Sequence, residues 1–190
     1  MSDVPIFDLK MFSKTESVVC TKSRAYDALL PHSHNFIELS MVVSGKGIHE
    51  LGKEKYEIFK LEGYLIVDAT EHNVAPIADE EGLEIINIIF DQSFIGEYRF
   101  LILENQKFSG NEYIKGLFIK AYEEFERKEF GYLEIIRFIL LQILYFFQRS
   151  VIISERSMQE TRVKRILRKE EIVGLVVDYI QQHYKEDIKV

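Results

Sequence analysis

Between Pro31 and Gly45 the chain reads PHSHNFIELSMVVSG, which sets two imidazoles, His32 and His34, a carboxylate, Glu38, and a closing glycine at short intervals. Side chains alternate between the two faces of a β-strand, so residues 32, 34, 36, 38 and 40 share one side while Ile37, Leu39, Met41 and Val43 share the other. Imidazole nitrogens and a carboxylate gathered on one face can ligate a transition metal, hold the polar groups of an organic ligand, or satisfy one another. The strand that must carry them spans Phe36–Val43, rich in Ile, Leu, Met and Val, and ends in Ser44-Gly45-Lys46-Gly47, a hairpin turn signal.

The bulk composition leaves room for a folded body around that strand. Of 190 residues, 47% are hydrophobic and 13% aromatic, with only three Pro and ten Gly. Such a chain can bury a substantial core and is not a disordered one. The net charge of −7 argues against the whole chain gripping a phosphate backbone. The charge is uneven: Arg156 to Lys169 is basic apart from Glu160. A single Cys20 makes no internal disulfide and suits a reducing compartment. The first ten residues, MSDVPIFDLK, do not have the form of a signal peptide. The most apolar stretch, Tyr132–Phe147, is interrupted by Glu134, Arg137 and Gln142, and is shorter than the roughly 20 residues of a membrane span. The expected setting is cytoplasmic, with no membrane partner. No Gly-rich phosphate loop, nucleophile elbow or spaced Cys cluster occurs.

Taken in order, the chain offers short strand candidates at Ser17–Thr21, Arg24–Leu30, Ile48–Leu51, Lys55–Phe59, Tyr64–Asp68 and Leu83–Phe90. Turns fall at Gly52-Lys53, Leu61-Glu62-Gly63 and Asp79–Gly82, and Ala69–Asn73 reads as a polar connection carrying His72. Short strands at this spacing predict an antiparallel sandwich or barrel. From Gly110 the period becomes helical, with Ile114, Leu117, Phe118, Ala121 and Phe125 on one face. Gly131 breaks that helix, and Tyr132–Gln148 forms a second that is apolar nearly all round, so it must be buried on more than one side. Either it packs between the sheet and the first helix, or it pairs with its twin. On the second reading Ile136, Ile139, Leu140, Ile143 and Phe147 form a homodimer interface. Residues 151–168 read as a basic linker. A last helix from about Glu170 carries Ile172, Val173, Val176, Val177, Ile180 and Tyr184 on one side, and the chain is expected to continue beyond Val190 in a longer protein.

The spacing His32-x-His34, Glu38, Gly45 resembles the first motif of the cupin superfamily. Gly63 to His72 resembles the second, with Ala69 where Pro is usual and His72 two residues nearer the glycine than in the family pattern. Val176–Val190, VVDYIQQHYKEDIKV, resembles the opening helix of the AraC-type DNA-binding domain. Barrel motif, helix pair and terminal helix in that order are similar to AraC-family transcriptional regulators. The resemblance implies a mixed β + α fold: a cupin-type double-stranded β-helix barrel, a helical dimerisation pair and a C-terminal helix. The implied divisions are 1–98 effector-binding barrel, 99–150 helical dimerisation region, 151–168 linker and 169–190 first helix of a DNA-binding domain.

The implied function is ligand sensing and dimerisation, with operator DNA bound only by the full-length protein. His32, His34, Phe36, Glu38, Ser40 and His72 would meet a small effector. A sugar is the effector the family suggests, although these residues do not force it. Enzymatic cupins hold a metal at the positions matching His32, His34, Glu38 and His72, so the rival expectation is a divalent transition metal in a cupin enzyme of dioxygenase or isomerase type. His49 is expected in the core or solvated rather than at the site, and Cys20 is expected to be inert.

Overall fold

A computed structural model describes residues 4–67, 69–77, 82–102 and 105–149. By compactness the chain divides into Met1–Phe147 and Gln148–Val190, and the architecture below belongs to the first unit. The expected linker, the expected terminal helix and most of the Asp79–Gly82 turn lie outside the described residues.

Among the described residues ten strands precede the α-helices: β1 Ile6–Phe7, β2 Val18–Ala25, β3 Ser33–His34, β4 Ile37–Ser44, β5 Lys46–Leu51, β6 Glu54–Phe59, β7 Glu62–Ile66, β8 His72–Pro76, β9 Leu83–Phe90 and β10 Gln106–Ser109. Five of them form a sheet in the order β10-β7-β4-β9-β2, three form a second in the order β6-β5-β8, and β1 pairs with β3 in parallel. The two larger sheets enclose a cupin-type barrel. Val42, Ile58, Tyr64, Ile66, Val74, Leu83 and Ile85 pack together inside it.

Strand β4 is central, and both of its faces are buried. Its odd side, Ile37, Leu39, Met41 and Val43, joins a core with Ile86, Ile88, Phe90 and residues of the helices. Its even side, Glu38, Ser40 and Val42, points the other way, as strand alternation requires. The turn out of β4 depends on Gly45, whose φ is +79° and where a Cβ would lie 2.0 Å from the Gly82 carbonyl oxygen. Only glycine fits both conditions.

Helix α1, Glu112–Arg127, starts at Asn111, whose side chain accepts from the Ile114 amide at 3.0 Å. It ends at Lys128, in the left-handed region with φ 49°. After Gly131 a second helix, α2, covers 132–149. Its residues Ile136, Ile139, Leu140, Ile143, Leu144 and Phe147 share one core with Phe118 of α1 and Leu39 of β4. This corrects the expected dimer seam. Ile136, Ile139, Leu140, Ile143 and Phe147 are buried within the chain itself, at most 3% exposed. The sheet and α1 already cover the stripe that the sequence offered to a twin. What α2 leaves outside is Phe138, 65% exposed, and Tyr145.

Two strand expectations also shift. The Arg24–Leu30 candidate contributes only its first two residues, to the end of β2; beyond Ala25 the chain leaves the sheet, and the Leu29 amide donates to the Val74 carbonyl of β8 at 2.9 Å. His72 opens β8 instead of riding in a loop, because its backbone bonds reciprocally with His32 at 2.8 and 3.0 Å. Among the described residues no helix is long and apolar enough to cross a membrane.

Candidate functional site

The fold brings His32, His34, Glu38 and His72 to one place. His34 Nε2 lies 3.1 Å from Glu38 Oε2 and His72 Nε2 lies 3.6 Å from the same oxygen. The His32 and His72 ring centroids are 4.3 Å apart. Ser40 Oγ donates to the other carboxylate oxygen, Glu38 Oε1, at 2.9 Å. Phe36 stacks on His34 with centroids 4.1 Å apart and an interplanar angle of 7°. All are buried except His32, which is half-buried. The shortened second motif thus still delivers the His72 imidazole to Glu38.

The three rings share one hydrogen-bonding logic. His32 Nδ1 donates to the Leu30 carbonyl at 3.0 Å, His34 Nδ1 to Phe36 at 2.9 Å and His72 Nδ1 to Thr70 at 3.0 Å. A carbonyl oxygen only accepts, so each Nδ1 carries the hydrogen. Each Nε2 then bears a lone pair unless its ring is an imidazolium. Burial alone would raise the Glu38 carboxyl pKa, but bonds and charge from His34 and His72 outweigh it and hold the group below the ordinary carboxylate range. Burial pushes the His32 pKa down by more than its bond to Leu30 raises it. An ionised Glu38 facing imidazole lone pairs needs a positive charge between them, either an added proton on a ring or a bound cation.

Beside this cluster lies a cavity of about 370 Å³, in the size range of small-ligand pockets. His32, Phe36, Glu38 and His72 line it, whereas His34 and Ser40 sit behind Glu38 and brace it. The apolar wall includes Phe7, Phe12, Leu29, Leu30, Val74 and Ile89. Sequence reasoning missed Thr21, Tyr64 and Asn87, which also line the cavity. They come from one cross-strand row, Thr21–Asn87–Ser40–Tyr64, set by the registers of β2, β9, β4 and β7. A signal was present, since Asn87 is the one uncharged polar residue in LEIINIIF, where Glu84 is charged and the other six are apolar. Its Oδ1 is buried without a hydrogen-bond partner.

His49 is also in the interior, stacked 4.0 Å from Tyr64 with Nδ1 2.6 Å from the Tyr56 hydroxyl, and it does not line the cavity. Cys20 is buried under the helices, and burial pushes its thiol pKa up, so it is not a poised nucleophile.

The donor set could hold a metal ion. One ring nitrogen or carboxylate oxygen each from His32, Glu38 and His72 lie within 4.8 Å of one another. Imidazoles whose Nδ1–H is fixed by backbone carbonyls have the tautomer that metal ligation requires.

A barrel of two facing sheets with a polar cluster beside a partly open cavity is the architecture of a cupin-type domain. The family model of the AraC-like ligand binding domain matches residues 18–139, and the chain belongs to that family. No curated protein matches it in sequence. Among solved structures, ToxT of Vibrio cholerae bound to (E)-4-(8-methylnaphthalen-1-yl)but-3-enoic acid superposes with a TM-score of 0.54 at 14% identity, covering 70% of this chain and 56% of that one. An apo ToxT variant gives 0.55 at 9% identity, covering 72% and 56%. These likenesses show the fold. An oxalate decarboxylase of Bacillus subtilis aligns at 15% identity with a TM-score of 0.37, covering 45% of this chain and 24% of that one. The chain therefore spans little more than half of the ToxT chain and about a quarter of the decarboxylase.

Proposed function

We propose that the chain is the ligand-sensing portion of an AraC-like transcriptional regulator, and that the cavity beside Glu38 receives a small organic effector. The observation that carries this reading is the cavity itself. It combines apolar walls with a few convergent polar groups, His32, Glu38, His72 and Asn87, the composition by which small-molecule pockets gain affinity and orientation. An effector bound differently by two arrangements of the domain would bias how DNA-binding units of the full-length protein are presented, which is coupling in the thermodynamic sense.

The test is a thermal-shift screen of sugars and other small organic compounds on the wild-type protein and on Glu38→Ala. A true effector is expected to raise the melting temperature of the wild type and to lose at least about tenfold in affinity for the variant, roughly 1.4 kcal/mol. Equal affinity for both proteins would remove Glu38 from the site.

The alternative reading is a metal centre, favoured by the three carbonyl-fixed imidazoles around one carboxylate. Metal analysis of the purified protein by mass spectrometry separates the two. A near-stoichiometric transition metal whose removal by chelator lowers the melting temperature would replace the organic pocket with a metal-dependent sensor or enzyme.

We also infer that two copies associate through the outer face of α2 and not through its buried stripe. Phe138 and Tyr145 are the apolar residues left exposed there. Phe138→Asp is expected to shift a dimer toward monomer in light scattering while leaving the circular dichroism spectrum unchanged. Ile139→Asp cannot serve, because it would place a charge in the core. A Phe138→Asp protein with wild-type mass would exclude this face.

A further inference from the structure

Resting on the pocket reading, we propose that the head group recognised by this cavity is an organic ammonium, a primary amine carried on an apolar body. The polar groups that reach the cavity are rich in acceptors. They are His32, Glu38, His72, Asn87 and the hydroxyls of Thr21, Ser23 and Tyr64. The acceptors among them include the Glu38 carboxylate, His32, whose Nδ1 hydrogen is taken by Leu30, and the Asn87 amide, whose buried Oδ1 has no partner. Among the described residues no lysine or arginine lines the cavity. An anionic head would meet the buried carboxylate with no cationic side chain of Lys or Arg to offset it.

A protonated amine answers each feature. It brings three donors, no acceptor and a positive charge to set beside the Glu38 carboxylate. One ring nitrogen or carboxylate oxygen from each of His32, Glu38 and His72 lies within 4.8 Å of the others, so acceptors of more than one residue are within reach of a single ammonium head. The aromatic rings at the mouth complete the match. Phe12 packs edge-on against Phe7 at 6.3 Å and against Phe36 at 5.8 Å, and all three line the cavity. Aromatic faces around a carboxylate are suited to an ammonium through cation–π attraction, and they also accept the apolar body attached to it.

The experiment compares three probes with one body, phenylbutylamine, phenylbutanol and phenylbutyrate, by calorimetric titration of the wild-type protein at neutral pH in chelator. The amine is expected to bind at least about tenfold tighter than the alcohol, and the carboxylate more weakly than either. In Glu38→Gln the advantage of the amine over the alcohol should vanish while alcohol binding persists. Because the ordering is read first on the wild type, poor folding of the variant would not decide the matter. Carboxylate binding as tight as the amine would overturn the ammonium assignment and leave the organic pocket standing. If none of the probes binds while a divalent transition metal alone raises the melting temperature, both the assignment and the pocket reading fall.

Discussion

Gly63→Ala should cost the barrel at least about 3 kcal/mol of stability, a large share of what a domain of this size possesses. A Cβ at Gly63 would lie 2.1 Å from the Ser40 carbonyl oxygen and 2.3 and 2.4 Å from atoms of the Phe108 ring. Neither neighbour can step aside cheaply. The Ser40 carbonyl belongs to β4, which is held on both sides, by β7 through Met41↔Gly63 and by β9 through Met41↔Ile86. The Phe108 ring is pressed against Phe147 of α2, with centroids 3.7 Å apart. A single methyl group must therefore part β7 from β4 or from the helix layer, and overpacking of this kind shifts backbone as well as side chains. The measurement is the urea midpoint at constant slope. Gly116→Ala is the control: Gly116 lies in α1 with nothing within 4 Å of its Cβ position, so it should gain about 0.5–1 kcal/mol from helix propensity. A Gly63→Ala midpoint close to wild type would mean that β7 and β4 approach less closely than described.

Gly63 also marks how far the sequence could be read. The glycines of both motifs, the alternation through Phe36–Val43 and the switch of period after Gly110 are local signals, and each corresponds to an element in its expected place. The convergence of His32, His34, Glu38 and His72 was legible from local parity read through Pro31–Val43, which grouped three of them although the run divides into β3 and β4, and motif resemblance supplied the fourth. What stayed hidden depends on pairing between distant segments. Thr21, Asn87 and Tyr64 reach the cavity only because the registers of four strands align them in one row. Phe7 and Phe12 arrive because β1 pairs with β3, a contact between short strands that no periodicity announces. The misplaced dimer seam has a related cause. An apolar stripe shows that a helix face is covered but not by what, and in α2 the cover is the chain's own sheet and first helix.

Acidification should destabilise the barrel above the range in which its carboxylates titrate, and His49 should account for much of the effect. His49 is fully buried, and burial lowers its pKa from 6.5 to about 4, with the neighbouring His72 adding to the shift. Between those values the unfolded chain binds a proton at this residue and the folded chain does not. Stability therefore rises with pH through the window, and is lost as pH falls from 6.5 toward 4. Each pH unit is worth about 1.4 kcal/mol, so the loss is about 2 kcal/mol by pH 5 and about 3 kcal/mol over the whole window. Glu38 is distinguishable, because its carboxyl is held below the ordinary value and gives up its contribution only at lower pH. His49→Phe keeps a flat ring against Tyr64 and removes the proton site. It should cost about 1 kcal/mol at pH 7, where the Tyr56 hydroxyl loses its partner, and should flatten the stability profile between pH 6.5 and 5 by the amount given above. Tyr56→Phe removes the same hydrogen bond but retains the imidazole, so its profile should keep the wild-type slope. Urea unfolding at half-unit pH steps decides the matter: equal slopes for the wild type and His49→Phe would show that the buried imidazole is not the acid-sensitive group.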